Sequence, residues 1–329
     1  MNNTVFDHLH SEGLLSDESF KKIKQRQSSP LFSVHWELKT ALYTGVLLLS
    51  TGLGILVYKN IDSIGHQVVL AFIAVLCAGC LGWCNKNKKP FSFAKVESPN
   101  SLFDYVLLLG VLSFLSLIGY LQVQYGVFGD KYGLATFLPM VVLFFFAYYF
   151  DHIGVLTLAI TNLAIWMGVT VTPKDLLEHA NFNNEKFIYT YLLLGCLLLV
   201  AGWATNYYGI KKHFAFSYHH YGVHVTFIAL LSGYFFYDYG LSFIWLSCLA
   251  VLTWFIFKDA YRKRSFYFLL LCVLYNYIAF SGLIIRSVIK VAESEGFYLI
   301  SLYFVSSGFG LIIFLTNLNR KLKSNDHLQ

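Results

Sequence analysis

From Ala41 to about Thr316 the chain passes through a succession of apolar stretches separated by short polar joints that sort its charges. Each stretch approaches the roughly 20 apolar residues that a helix needs to cross a hydrocarbon core of about 30 Å. Ten spans are expected, at residues 41–58, 67–84, 102–122, 133–150, 153–171, 187–207, 222–238, 240–257, 265–285 and 297–316. Two joints are very short: Asp151 and His152 separate the fourth span from the fifth, and Asp238, Tyr239 and Gly240 the seventh from the eighth. Reading each pair as one helix would give about 40 apolar residues, twice what a bilayer accepts, so a tight reversal is expected at both joints. The composition agrees: 57% of residues are hydrophobic and only 13% charged, outside the range of an ordinary soluble domain. The expected fold is all-α, a polytopic integral membrane helical bundle of about ten transmembrane helices. Residues 1–40 precede it as a helical arm, 41–316 form the bundle, and 317–329 are a basic tail.

Lys and Arg are retained on the cytoplasmic side of short loops. With ten spans and the N-terminus inside, 18 of the 24 Lys and Arg residues fall on the cytoplasmic side, and Lys59, Lys131, Lys174, Lys186, Arg286 and Lys290 on the other. An odd number of spans would scramble this pattern, so both termini are expected in the cytoplasm. The net charge of +6 follows from this topology and calls for no nucleic acid. Basic loops beside a bilayer attract anionic headgroups, at about 1 kcal/mol per charge, which makes the lipid bilayer the expected partner of these loops. No cleavable signal peptide is visible, and the first span is expected to act as its own insertion signal. The six cysteines, Cys77, Cys80, Cys84, Cys196, Cys248 and Cys272, all fall within spans or at their edges. Reduced, packed thiols are expected rather than a disulfide framework.

Residues 1–39 are the one sizeable water-facing segment and read as two short helices around a glycine. Val5, Phe6 and Leu9 share a face of the first, and Gly13 sits where a left-handed residue would end it. Ser16 is placed as an N-cap. Asp17 and Glu18 then complement the positive end of the second helix, and Lys21, Lys22, Lys24 and Arg26 its negative end. So small a pair cannot stand alone. It is expected either to fold back on its own bundle or to bind a soluble or membrane protein partner.

The run Gly13-Leu14-Leu15-Ser16-Asp17-Glu18, the basic helix after it, the glycine-bearing first span from Leu42 to Leu56, and the segment Tyr58-Lys59-Asn60-Ile61-Asp62-Ser63-Ile64 together resemble a bacterial family. It is the family of predicted membrane proteins known as domain of unknown function 2157. The resemblance is specific over roughly the first 85 residues. It implies a membrane protein of the bacterial inner membrane and carries no activity, substrate or site residue.

No motif for catalysis or a cofactor stands out. Cys77, Cys80 and Cys84 lie at i, i+3 and i+7 on one helix face, but a soft-metal site needs deprotonated sulfur and a fourth ligand; packing, with Gly79 and Gly82 nearby, is the expectation. His213, His219, His220 and His224 cluster around the loop expected before the seventh span, with His220 and His224 one turn apart. No nearby carboxylate cluster is expected to complete a metal site there. Asp151-His152 is expected to cap two helix ends. Pro139 falls inside the fourth span and is expected to kink it or free a carbonyl.

Inside the membrane the telling residues are Asn162 and Asn276, whose amides must find partners away from lipid. Gln122, Gln124 and Asn206 lie nearer the two ends, and His224 is a further polar contact. No acidic or basic residue sits at the centre of any span, which weighs against ion-coupled transport while leaving histidine pathways open. No catalytic, metal or cofactor residue is assigned and no enzyme is expected. The leading expectation is a structural or accessory membrane protein whose arm, residues 1–39, contacts a partner. The alternative is a carrier of a small neutral or lipid-like molecule through a midplane cavity near Asn162 and Asn276.

Overall fold

The computed structural model describes residues 10–28, 41, 44–45, 48, 51–52, 55, 59, 65–129, 132–171, 185–237, 239–292 and 296–324. Among the described residues every regular element is helical. The helices are α1 (Asp17–Ser28), α2 (His66–Asn87), α3 (Ser101–Tyr125), α4 (Tyr132–Phe150), α5 (Ile153–Val171), α6 (Glu185–Tyr208), α7 (Phe214–Phe236), α8 (Tyr239–Arg262), α9 (Phe266–Ala292) and α10 (Gly296–Ser324). Eight of these, all but α1 and α7, are long and apolar enough to cross a membrane. Most of the first expected span, the segment 60–64 and residues 172–184 lie outside the described residues.

The chain divides into two compact units, residues 1–69 and 70–329. In the first, α1 begins as its sequence dictates: Ser16 Oγ accepts from Ser19 N–H at 3.3 Å, and Asp17 and Glu18 occupy the first turn. His10 stacks on Phe20 at 4.1 Å between ring centroids and bonds Asp17 at 2.8 Å. Gly13 takes φ 72°, the left-handed position foreseen for it.

In the second unit α4 packs on α3 and α5, α5 on α6, and α7 lies between α5, α6, α8 and α9, with α10 against α9. The buried side chains form one cluster over α2–α7 around Leu107, Leu143, Leu156 and Leu198, and a second over α6–α9 around Val223, Phe227 and Leu249. Close approach of α6 to α7 depends on Gly195, where an added Cβ would come within 2.8 Å of the Thr226 backbone nitrogen. The cysteine face of α2 meets α3 in the same way: a Cβ on Gly110 would lie 3.0 Å from that of Cys80. Cys77 and Cys84 are buried and all six thiols are free, so these cysteines pack; among the described residues nothing lies within 4 Å of a Cβ placed on Gly79 or Gly82. α4 runs unbroken through Pro139.

Four element bounds differ from the sequence expectation by five residues or more, among them the end of α8 at Arg262, expected at 257, and the end of α9 at Ala292, expected at 285. The seventh span was expected from residue 222, whereas α7 begins at Phe214. His219, His220 and His224 therefore sit on a helix and only His213 in the turn before it. Polar and aromatic residues in its first turns depress the hydropathy of α7, yet this helix is the most enclosed, because its polar atoms are bonded to neighbouring helices. The basic tail was expected from residue 317, but α10 continues to Ser324, and Leu318 and Leu322 are buried with Ala260 and Leu269.

Candidate functional site

One end of the second unit gathers residues 88–100, the α4–α5 turn, the α6–α7 turn and the α8–α9 turn, all of which carry Lys or Arg except the α4–α5 turn, Asp151-His152. There Asp151 and Lys211 form an ion pair at 2.8 Å, with side chains 3% and 1% exposed. Both adopt left-handed backbone, φ 57° and 48°, a conformation that costs a non-glycine residue about 1 kcal/mol or more unless its surroundings fix it. The surroundings do so. Asp151 accepts from Val96 N–H at 2.5 Å and from His213 Nε2 at 2.6 Å. Lys211 donates from Nζ to Ala94 O at 3.2 Å and from its backbone N–H to Phe93 O at 2.8 Å, and its ammonium lies 5.0 Å from the Phe91 ring centre. A desolvated pair survives only when its remaining donors and acceptors are satisfied, and nearly all of these are; His213 Nδ1 is the one buried side-chain polar atom without a partner among the described residues.

This corrects one expectation: Asp151 is a hub rather than a simple cap, reached by His213 from a turn 62 positions away in sequence. His152 is the capping member: its Nδ1 accepts from Val155 N–H at 3.2 Å. Its Nε2 lies 3.6 Å from Asp104, which accepts from Ser98 Oγ at 2.5 Å. Burial lowers the pKa of His152, and the Asp104 carboxylate partly opposes that shift. The void beside this cluster is only about 10 Å³, too small for a substrate.

The larger cavities flank α7. The first, about 500 Å³, occupies the basic-end half and is walled by Leu199, Val223, Leu252, Phe255, Ile256 and Phe268. Asn206, Lys212, His219, Asp259 and Lys263 bring polar atoms to it. Asp259 is held by Arg262 at 2.9 Å and Lys263 at 2.6 Å, while Lys212 makes no ion pair among the described residues. The second, about 740 Å³, occupies the opposite half and is lined by Ile188, Ile228, Leu231, Ser232, Tyr275 and Ile278. Between the two lies a packed layer in which Phe227, fully buried, stacks on Tyr275 with centroids 4.8 Å apart and planes 7° from parallel.

Beside that layer runs a line of hydrogen bonds between α7 and α9. His220 Nδ1 meets Tyr267 Oη at 2.5 Å. The same hydroxyl meets His224 Nε2 at 3.0 Å, and His224 Nδ1 meets Tyr275 Oη at 2.6 Å. No group of three or more His, Cys, Asp or Glu among the described residues is placed to hold a metal.

The other expected residues are dispersed. Asn276 donates to Thr253 Oγ1 and to Cys272 O, both at 2.7 Å, and so ties α9 to α8. Asn162, 9% exposed, sits on α5 in the first apolar cluster region, and α5 is not packed on α9. The expected cavity between these two residues is not formed among the described residues. Gln122 closes the α3–α4 turn, donating to Gly129 O at 2.9 Å and accepting from Phe128 N–H at 3.0 Å; Gln124 is exposed. Of the expected residues, Asn206 borders a cavity and His224 belongs to the hydrogen-bonded line. Lys211, Tyr267 and Tyr275 were missed. Tyr267 and Tyr275 are eight residues apart, which places them on one helix face opposite the His220/His224 pair, and that spacing was the available signal.

Helices of this length and hydropathy, with interhelical polar ties and an apolar exterior, define a polytopic helical membrane protein. Residues 7–156 match the family described as Predicted membrane protein (DUF2157). The resemblance read from the arm and first span thus holds over a segment reaching into α5, and α6–α10 lie beyond it. Among curated proteins and among solved structures nothing matches.

Proposed function

We propose that this protein is a carrier, not an enzyme, for an amphiphile with an apolar chain and an anionic head. The observation that carries this reading is the pair of cavities on opposite halves of α7, about 500 and 740 Å³, divided by the Phe227–Tyr275 layer. Apolar walls suit a hydrocarbon chain, and Lys212 at the basic end supplies a cation not already neutralised by a carboxylate. The site is thus displaced from Asn162 and Asn276 to α6–α9. The membrane is that of a bacterial cytoplasm, with both termini inside, as supported by the retention of basic residues at one end of the second unit.

A second reading is accessory: residues 1–39 bind a protein partner. It is favoured by Leu14, 71% exposed beside a self-capped helix that bears Lys21, Lys22 and Lys24. Native mass spectrometry of protein released gently from its membrane separates the two. The carrier reading expects an amphiphile adduct that survives deletion of residues 1–39 and is lost in Lys212→Glu and Leu252→Trp. A stoichiometric protein partner lost with the arm, with no such adduct, favours the accessory reading.

A further inference from the structure

His224 is bonded at both ring nitrogens, to Tyr275 Oη at 2.6 Å and to Tyr267 Oη at 3.0 Å, and Tyr267 Oη also reaches His220 Nδ1 at 2.5 Å. Elementary hydrogen-bond chemistry restricts how such a line is populated. A neutral imidazole has one donor and one acceptor, and a phenol has one proton to give. Once one proton is placed, every other is fixed. In the first ordering His220 Nδ1–H donates to Tyr267, Tyr267 O–H to His224 Nε2, and His224 Nδ1–H to Tyr275. In the second every donor is reversed. These are the two arrangements that keep the Tyr267 hydroxyl proton within the line, and they interconvert by moving each proton along its own hydrogen bond.

The line also has two distinct ends. His220 is partly exposed, stacks on Phe216 at 6.2 Å, and has no hydrogen-bond partner at Nε2 among the described residues. Phe216 itself borders the basic-end cavity, and Tyr275 lines the cavity of the opposite half beside Ser232. α7 and α9 both begin at the basic end, so the sequence His220, Tyr267, His224, Tyr275 leads from that end inward to the packed layer. Other titratable groups near α7 are already engaged: Asp259 with Arg262 and Lys263, His219 with Ala215 O, and Tyr191 with Ala164 O. Among the described residues no charged side chain joins the line to trap a proton on it.

We propose that His220, Tyr267, His224 and Tyr275 form a proton-conducting chain through the middle of the bundle. A proton binding at His220 Nε2 drives a concerted shift. The His220 Nδ1–H bond breaks as a new O–H forms on Tyr267, and the original Tyr267 O–H breaks as N–H forms on His224 Nε2. The His224 Nδ1–H bond then gives way to an O–H on Tyr275, whose own proton leaves to water in the opposite cavity. One proton enters, one leaves, and no electron changes hands. The shift leaves the second ordering, and hydroxyl rotation with imidazole tautomer exchange restores the first. This activity goes beyond the carrier reading and stands without it, since it needs no amphiphile.

The test is proton uptake into vesicles of phosphatidylethanolamine and phosphatidylglycerol holding the full-length protein and an internal pH dye, driven by a potassium–valinomycin potential with no added amphiphile. Uptake at least tenfold above protein-free vesicles is expected. Tyr267→Phe and Tyr275→Phe keep their rings, and with them the stacking on His220 and Phe227, but remove the proton-carrying oxygen; both should fall to the protein-free rate. Tyr277→Phe, which removes a hydroxyl bonded to Ser307 at 2.9 Å on α10, should conduct like the unaltered chain and serves as the control for helix-tying tyrosines. Melting temperatures of all three verify folding. Unaltered protein no leakier than lipid alone, or folded Tyr267→Phe conducting as well as the unaltered chain, overturns the proposal. Loss of amphiphile binding with proton uptake intact would strike the carrier reading alone.

Discussion

The second unit holds two buried polar networks, and they differ in what their protons can do. At the basic end, Asp151, Lys211 and His213 form a charged cluster whose carboxylate is saturated by three donors and whose ammonium is boxed in by a carbonyl and an aromatic ring. A proton there has one low-energy arrangement. Along α7 and α9 the His220–Tyr275 line is built of imidazoles and phenols and has two orderings. The contrast shows that burial of polar groups alone says little about function. A network that is saturated and charged fixes the backbone, here two left-handed residues on turns distant in sequence, whereas a neutral network of groups that both give and accept remains switchable.

The largest expected effect breaks the charged network. Lys211→Met leaves the Asp151 carboxylate buried without its cation, and unfolding measured in mild detergent should show a loss of about 3–5 kcal/mol. Asp151→Asn in that background should recover part of it, because the uncompensated charge is gone. Next comes the helix contact beneath the neutral line. Gly195→Ala places a Cβ against the Thr226 backbone and should cost about 1–3 kcal/mol by the same measurement while also displacing α7 from α6. Tyr267→Phe removes two hydrogen bonds and should cost about 1–2 kcal/mol, at about 1 kcal/mol net for each. The comparison predicts that this mildest of the three is the one that stops proton uptake.

The smallest effect is a pH dependence at the edge of the charged network. Burial favours the neutral form of His152 in the folded chain, so its pKa lies below the ordinary value of 6.5. As pH falls through about 6.5 the unfolded chain takes up a proton that the folded chain resists, and stability falls until the folded pKa is reached, below which the loss stops growing. Above pH 6.5 the residue contributes its full share. His152→Gln should flatten the slope of stability against pH in this window, measured by thermal unfolding at a series of pH values.

Much of the architecture was legible. The positions of the second to sixth and eighth to tenth spans, the tight reversal at Asp151-His152, the capping of α1 and the packing role of the α2 cysteines all follow from local sequence and period. The start of α7 did not, because hydropathy scores His219, His220 and Tyr221 as if each met water, and it cannot register that His220 is answered by Tyr267 on a helix 47 positions later. For the same reason Lys211 read as one more loop charge; its partner Asp151 lies 60 positions earlier. Asn162 and Asn276 were each correctly singled out as needing to avoid lipid, but which helices touch is not written in apolar runs, so their juxtaposition was not recoverable. Asn276 instead ties α9 to α8 through Thr253.

The central claim is that α7 carries two separate cavities serving opposite sides of the membrane. It is tested most directly by attaching a charged, membrane-impermeant thiol reagent to Asn206→Cys and, separately, to Ser232→Cys in vesicles of uniform orientation, counting labelling above that of the native cysteines. Labelling of Asn206→Cys from the cytoplasmic side only and of Ser232→Cys from the opposite side only is the predicted result. Labelling of both from one side, or of Ser232→Cys by no charged reagent at all, would contradict it and make the second cavity a lipid-filled groove.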